Sequence, residues 1–163
     1  MGHLHSSFTN LEGIPVQGDA FVVIVNTEWN NDITDELTSG CVKLLEAAGV
    51  RHEIITVPGA VELVSAVTNI VQSQAVKAVI AFGCVIQGGT PHFEHVCNLV
   101  TQGIATLNAM QTTPVIFGVL TVNTKEQALE RIGGIEGHKG EEAAVAAIKM
   151  MNIQNAIRNN IGS

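Results

Sequence analysis

The sequence predicts a three-layer α/β/α protein, in which a flavodoxin-like, doubly wound sheet of about four parallel strands lies between helices. Two observations predict this class. Four apolar runs alternate with helical segments along the chain, as in consecutive βαβ units. The first of these runs, residues 20–25, is continuously apolar, which is typical of a parallel strand buried on both faces. No repeat or linker interrupts the pattern, so residues 19–163 are predicted to form one domain.

The predicted strands are rich in Val, Ile and Ala, and turn residues follow them. Pro58 and Gly59, for example, end the second strand. Because these runs are short and bounded by turns, they fit strands better than helices. In chain order the predicted strands are residues 20–25 (AFVVIV), 52–57 (HEIITV), 76–83 (VKAVIAFG) and 115–120 (VIFGVL).

The predicted helices have apolar residues three and four positions apart, which places those residues on one face. In the first helix, Asn31 or Asp32 can cap the start and Gly49 closes the end. The fourth helix is short and the fifth is long. In chain order the predicted helices are residues 32–48, 59–72, 93–110, 125–132 and 141–159.

Two segments carry no periodic pattern. Residues 1–18 are polar and predict a loose arm that becomes ordered only against a neighbouring subunit. Residues 133–140 are rich in glycine and predict a flexible loop before the last helix.

The composition excludes several classes of function. A net charge of −7 without any basic run argues against nucleic acid as a partner. No apolar stretch approaches the roughly 20 residues of a membrane span, and no secretory signal is present. A chain that is 46% hydrophobic and only 14% charged favours burial in a homo-oligomer, although an Ala- and Val-rich domain has the same composition.

The cysteines and histidines predict neither a disulfide nor a metal site. Three cysteines without a CxxC pair are typical of reduced thiols, so we expect a cytoplasmic protein. His92 and His95 have a spacing that two zinc ligands use, but no further Cys or carboxylate completes such a site.

Unusual side chains follow the first two strands, at the sheet edge where doubly wound proteins bind ligands. Trp29, the single tryptophan, is followed by Asn30. Trp29 either packs in the core or offers a surface on which an aromatic ring stacks, and its polar neighbours favour the second interpretation. Glu62 begins the second helix, where it satisfies the helix dipole or binds the N–H groups of a ligand.

The loop after the third strand predicts a phosphate site. Gly88 and Gly89 allow exposed backbone N–H groups, and Thr90 adds a hydroxyl just before a helix. Helix N-termini bind phosphate, although an ordinary turn uses the same glycines. His92 comes next, and it either caps the helix or transfers protons at neutral pH.

Two cations in the last third of the chain are candidates for binding an anion. Arg131 either contacts a phosphate dianion or forms a surface ion pair. Lys139 lies near the start of the last helix, where a cation opposes the macrodipole and therefore favours an anionic partner.

Taken together, these motifs resemble lumazine synthase between about residue 21 and residue 148. The resemblance implies an enzyme that condenses 5-amino-6-(D-ribitylamino)uracil with 3,4-dihydroxy-2-butanone 4-phosphate. The product is 6,7-dimethyl-8-ribityllumazine, in the penultimate step of riboflavin biosynthesis, and neither cofactor nor metal is required. The resemblance rests on TEWNNDI (27–33), VPGAVEL (57–63), GCVIQGGTPHFEHV (83–96), PVIFGVLT (114–121), EQALERIG (126–133) and HKG (138–140).

The resemblance also implies which residues bind the pyrimidine substrate. Trp29 stacks on its ring, residues 60–62 bind the ribityl chain, and the backbone of residues 84–86 reads the pyrimidine edge. The complete implied set of substrate-binding residues is Trp29, Asn30, Ala60, Val61, Glu62, Cys84, Val85, Ile86, Gly89, Thr90, Phe117 and Arg131.

The catalytic residues that the resemblance implies are His92, Arg131 and Lys139. His92 transfers protons beside the phosphate loop of residues 89–90. A neighbouring subunit lends Phe117 to the pyrimidine and Arg131 to the phosphate, with Lys139 close by.

The resemblance further implies a homopentamer, and in some members twelve pentamers close into an icosahedral 60-mer. Residues 133–137 have the length of the loop found in shell-forming members but lack its usual lysine, so both assemblies stay open. Riboflavin synthase is a candidate partner. The sequence departs from the usual pattern, without loss of a catalytic group, at Val64, Gly89, Ile132 and His138.

Two alternatives share the predicted fold, since a fold does not fix function. One is a flavin-binding or signalling module, and the other is a shell-forming scaffold without activity. A phosphorylatable receiver needs an acidic residue where Gly83 and Cys84 end the third strand, and a flavodoxin-like binder needs a Ser- and Thr-rich loop where residues 27–32 stand. His92 and Arg131 are both present, which favours the enzyme.

Overall fold

A computed structural model describes residues 9–162, and its main sheet has four parallel strands in the order β2-β1-β3-β4. The chain runs from β1 to β2 on one side and then to β3 on the other side of β1. The crevice between β1 and β3 is therefore the point where the strand order reverses. The strands are β1 (Phe21–Thr27), β2 (Arg51–Val57), β3 (Ala78–Ile86) and β4 (Val115–Val122).

Helices cover both faces of this sheet, which confirms the predicted three-layer fold. One apolar cluster joins α1 and α5 to alternate strand residues such as Ile80 and Phe82. A second cluster joins α2 and α3 to the intervening residues Val79 and Ala81. Residues 22–25 of β1 and 78–82 of β3 are continuously apolar because both faces of these two inner strands are covered. The helices are α1 (Asn31–Ala47), α2 (Ala60–Ile70), α3 (His92–Met110), α4 (Lys125–Leu129) and α5 (Lys139–Asn160).

All predicted strands and helices are present, but several boundaries differ. β3 and β4 continue beyond their predicted ends because Ile86 and Val122 still pair in the parallel ladder. α3 begins at His92 and α5 at Lys139, slightly earlier than predicted. These shifts place His92 and Lys139 in the first turns of helices.

The predicted cap of α1 is wrong. Neither Asn31 nor Asp32 caps the helix, because the residue before it is Asn30, which has a φ of 57°. The Asn30 side chain makes no cap hydrogen bond and donates instead to the carbonyl oxygen of Cys84, at 2.7 Å. Gly49 follows the helix end with a φ of 72°, as its predicted closing role requires.

The predicted flexible loop over residues 133–140 is largely a hairpin. Two short strands, β5 (Ile132–Gly134) and β6 (Gly137–His138), pair antiparallel. Gly137 has a φ of 79°, a conformation that glycine adopts without strain. The sequence pattern missed this hairpin because strands of three and two residues are too short to show a period.

α1 and α5 cross at a distance that only glycine permits. A Cβ on Gly140 would collide with the Leu37 carbonyl group, and a Cβ on Gly40 would collide with the His138 ring. This contact holds the start of α5, and therefore Lys139, against α1.

Residues 9–18 form neither helix nor strand, yet Leu11, Ile14 and Val16 pack on the α1 and α5 side of the core. Asn152 donates a hydrogen bond to the Pro15 carbonyl oxygen at 2.7 Å. The rest of the predicted arm, residues 1–8, lies outside the described residues, so its ordering against a neighbour and the domain division at residue 19 stay predictions. Within residues 9–162, no helix is long and apolar enough to cross a membrane.

The outer strand β2 is exposed on both faces. Ile54 and Ile55 point to opposite faces and are 48% and 40% exposed.

Candidate active site

Backbone hydrogen bonds bring together the loops that follow β1 and β2. The amide of Glu28 donates to the Val57 carbonyl oxygen at 2.9 Å, and that of Trp29 donates to the Pro58 carbonyl oxygen at 3.1 Å. The hydroxyl of Thr27 also donates to the Trp29 carbonyl oxygen, at 3.2 Å. These bonds fix the backbone of Trp29 at the carboxyl end of the sheet.

A cavity of about 630 Å³, which we call the rim cavity, opens at this end of the sheet. It contains nine of the residues that the sequence assigned to the site, together with Gly59 and Val96. The Trp29 side chain is 74% exposed, which excludes core packing and leaves its ring accessible to a ligand. The nine residues are Trp29, Asn30, Ala60, Val61, Glu62, Cys84, Val85, Ile86 and His92.

Glu62 lies in the first turn of α2, and its backbone amide bonds to the Gly59 carbonyl oxygen at 3.1 Å. Its carboxylate has no hydrogen bond or ion pair within residues 9–162. A carboxylate in this position is favoured by the helix dipole and can still accept hydrogen bonds from a ligand. The two roles left open by the sequence are therefore compatible.

Cys84 takes part through its backbone rather than its thiol. Its carbonyl oxygen accepts the Asn30 hydrogen bond that crosses the crevice between β1 and β3. Burial raises the pKa of the thiol to about 11, so it stays protonated at neutral pH. Cys41, Cys84 and Cys97 are all free thiols. In the described part of the chain, no group of three His, Cys, Asp or Glu residues is arranged to hold a metal ion.

The predicted phosphate loop lies between β3 and the start of α3. Gly89 and Thr90 are exposed there, but they do not line the rim cavity. The amide of Glu94 bonds to the Pro91 carbonyl oxygen at 3.1 Å, so the helix is formed from its first turn. His92 connects this loop with the rim cavity, because it is exposed and lines the cavity from the first position of the helix.

The remaining predicted residues lie elsewhere, along the free edge of β4. A second cavity of about 540 Å³, the β4 cavity, contains Phe117, Arg131 and Lys139, and none of the described residues lines both cavities. Phe117 is 43% exposed in the middle of β4. Within one chain, the structure therefore separates these three residues from the nine that line the rim cavity.

The two cations already have partners within the chain. Arg131 donates a hydrogen bond to the Gln127 carbonyl oxygen at 2.7 Å and lies 3.7 Å from the Glu130 carboxylate. The Lys139 ammonium lies 3.0 Å from the Glu142 carboxylate. Glu142 is thus a partner of Lys139 within the chain, and it also lines the β4 cavity.

Sequence reasoning missed Glu142, which lines the β4 cavity, and an ion pair that lies outside both cavities. Glu142 could have been found from its position three residues after Lys139 on a helix. The ion pair between Asp32 and Lys125 could not be predicted from the sequence, because its residues are far apart along the chain. They meet only because α1 and α4 begin side by side in the fold.

The fold and the rim cavity define a class: doubly wound α/β proteins that bind a ligand at the carboxyl ends of their strands. Comparison with known proteins makes the class specific. The sequence profile of the 6,7-dimethyl-8-ribityllumazine synthase family matches residues 19–155. The chain therefore belongs to the 6,7-dimethyl-8-ribityllumazine synthase family.

Individual relatives agree with the profile. The 6,7-dimethyl-8-ribityllumazine synthase of Corynebacterium kroppenstedtii is 52% identical over 129 residues, covering 78% of this chain and 80% of the relative. The synthase of Bacteroides fragilis is 48% identical over 132 residues, 79% of this chain and 92% of the relative. That of Parabacteroides distasonis is 44% identical over 146 residues, 88% and 91% of the two chains.

Proposed function

We propose that this protein condenses 5-amino-6-(D-ribitylamino)uracil with 3,4-dihydroxy-2-butanone 4-phosphate to form 6,7-dimethyl-8-ribityllumazine, in the penultimate step of riboflavin biosynthesis. One observation carries the proposal beyond family membership. The rim cavity combines the exposed indole of Trp29, the Glu62 carboxylate, which is unpaired within residues 9–162, and His92 at a helix start. The indole can stack on an aromatic ring, the carboxylate can bind the hydroxyls of a polyol chain, and the histidine can transfer protons in the reaction.

The residues of the rim cavity support a position for the pyrimidine substrate. Its ring stacks on Trp29, and the backbone of residues 84–86 pairs with its polar edge. Its ribityl hydroxyls bind the Glu62 carboxylate and the backbone of residues 60–61, at the start of α2. This position directs the amine toward His92 and the phosphate loop.

The chemistry follows from two reactants held face to face. The substrate amine attacks the ketone, and loss of water gives an imine. A proton is then removed and the C–O bond to the phosphate breaks, which releases inorganic phosphate. Ring closure releases a second water. His92 transfers protons in these steps, while much of the acceleration comes from orientation of the two reactants. Gly89 and Thr90, before the N-terminus of α3, bind the phosphate.

We also propose that each active site is shared between two identical subunits. The charges in the two cavities support this proposal: the rim cavity has no Lys or Arg, whereas Arg131, Lys139 and Lys149 line the β4 cavity. To react with the pyrimidine substrate, the phosphate ester must lie beside the rim cavity and also bind the cations of the β4 cavity. A neighbouring subunit therefore supplies Phe117, Arg131 and Lys139 from its β4 cavity, and a homopentamer provides five such sites.

The proposed reaction is tested by mixing the protein with both substrates and following the absorbance and fluorescence of the lumazine. Product formation is expected. A folded, oligomeric protein that makes no product would contradict the proposed enzyme activity and favour a scaffold or a flavin-binding module.

The assembly, partner and compartment have separate tests. Analytical ultracentrifugation separates a pentamer from a 60-mer, and pull-down with riboflavin synthase tests that proposed partner. The free thiols support the cytoplasm as the compartment, which cell fractionation tests.

The shared site has its own test. His92→Ala and Arg131→Ala chains are refolded separately and as an equal mixture, and activity is measured. If two subunits build each site, chance pairing restores about a quarter of the sites in the mixture. If one subunit builds the whole site, the mixture is no more active than the average of the two variants.

A further inference from the structure

Gly59 lies where the two substrate-binding loops of the rim cavity meet. It precedes α2 and faces the Trp29 loop, whose backbone is bonded to residues 57 and 58. A Cβ at Gly59 would lie 3.1 Å from a Glu62 carboxylate oxygen and 3.5 Å from Cδ1 of Trp29. The Glu62 carboxylate therefore crowds the space that a Cβ at position 59 would occupy, while the Trp29 ring would be in ordinary van der Waals contact with it.

The backbone of Gly59 does not explain why this position is a glycine. Its φ of −151° and ψ of −179° form an extended conformation that any residue adopts. The contact with Glu62 is different, because 3.1 Å is closer than a carbon and a carboxylate oxygen normally approach. An alanine at this position would keep its backbone conformation but displace the carboxylate by a few tenths of an ångström.

We propose that Gly59 is a positioning residue, which sets the spacing between the Trp29 indole and the Glu62 carboxylate and so matches the rim cavity to a heteroaromatic ring carrying a polyol chain. The identity of this ligand rests on the proposed function. The spacing itself depends only on the contacts of the three residues.

Gly59→Ala tests the spacing directly through fluorescence. Trp29 is the single tryptophan of the chain, so the intrinsic emission reports this side chain alone. We expect the emission of the free protein to change in wavelength or intensity. Gly18→Ala is the matched control, since a Cβ there meets nothing within 4 Å and its emission should equal that of the parent protein. Unchanged emission in Gly59→Ala would overturn the proposal.

Kinetics test the consequence for the ligand. The KM for 5-amino-6-(D-ribitylamino)uracil should rise about three- to tenfold, since a misplacement of 1 Å can cost about 100-fold. The KM for the four-carbon phosphate and kcat should stay within about twofold. Equal losses for both substrates, or a fall in melting temperature that accounts for the lost activity, would indicate a merely structural role and overturn the proposal.

A double-mutant cycle identifies the contact responsible. In a Glu62→Ala background no carboxylate meets the added methyl group, so Gly59→Ala should change the KM little further. Full additivity of the two effects contradicts the proposal. If the parent protein forms no lumazine, the proposed function fails, while the emission of Gly59→Ala and Gly18→Ala still decides whether position 59 sets the spacing.

Discussion

The rim cavity and the β4 cavity differ in charge and in how their side chains are held. Among the described residues that line the rim cavity Glu62 is the single acidic one, and backbone hydrogen bonds fix the loop that carries Trp29. In the β4 cavity the cations Arg131 and Lys139 are held by contacts with groups of their own chain, such as the Glu142 carboxylate. The first cavity is fixed in position, and the second depends on polar contacts that an incoming anion can replace.

This difference corresponds to the two proposed substrates. An uncharged heterocycle gains from an ordered stacking surface, because little of its binding energy is then lost in ordering the protein. A phosphate gains most from cations, which can leave an existing carboxylate or carbonyl partner when a dianion arrives. The proposed site, which joins both cavities across two subunits, would thus bind the two substrates by separate means.

The largest effect is expected from the β4 cavity. Arg131→Ala should lower kcat/KM by about 10³-fold, because one cation serves both phosphate binding and departure of the leaving group. Steady-state kinetics with the phosphate substrate varied measure the loss. Arg158→Ala, which removes an exposed arginine that lines neither the rim nor the β4 cavity, is the control and should keep full activity.

A smaller effect is expected from the rim cavity. His92→Ala should slow turnover by about 10²-fold, at the low end of acid–base catalysis, because the residue is exposed and water can take over part of the proton transfer. His95→Ala, in the same turn of α3, is the matched control. If His92→Ala proved more damaging than Arg131→Ala, the ranking of the two cavities would be wrong.

The smallest effect concerns the ion pair that joins the two regions. Asp32 lies in the first turn of α1, two residues after Asn30 of the rim cavity, and Lys125 begins α4, which ends two residues before Arg131. The hydrogen bond from Lys125 holds the pKa of Asp32 below its ordinary value of 3.8 and raises the pKa of Lys125 above 10.5. The pair therefore stabilises the fold between these two values. Its contribution disappears as the pH falls through the lowered pKa of Asp32 or rises through the raised pKa of Lys125.

Asp32→Asn should consequently lower the melting temperature by a few degrees at most at pH 7, since both side chains are about half exposed. The difference from the parent protein should vanish well below pH 3.8 and shrink in high salt. Lys125→Met, alone and combined with Asp32→Asn, completes the comparison. A difference that persists in acid would mean that the substitution acts by something other than the ion pair.

Much of the fold could be predicted from sequence because the local signals agree with the tertiary structure. Residues 22–25 are apolar without interruption, and both faces of β1 are indeed covered. β2 was also predicted, although it is exposed, because β-branched residues favour strands on either side of a sheet. The hairpin over residues 132–138 was missed because its pairing depends on the turn and on packing against α1 and α4 rather than on a periodic pattern.

The residues of the candidate site likewise include some that the sequence could predict and some that it could not. Trp29, Glu62 and His92 could be placed together from the residues alone, because the carboxyl ends of parallel strands meet at one edge. Phe117 came only from the family resemblance, since an aromatic residue within an apolar strand looks like core. The sequence identified Gly59 only as a turn residue, because its close approach to Glu62 depends on how two loops meet in space.

The exposed strand β2 also matters for how the protein is made. Until another surface covers it, each new chain presents open backbone N–H and C=O groups with Ile54 and Ile55 beside them. Such an edge pairs readily with strands of other unfinished chains, and aggregation then competes with folding. The rate at which the cell synthesises this protein therefore influences what fraction of it survives as folded enzyme.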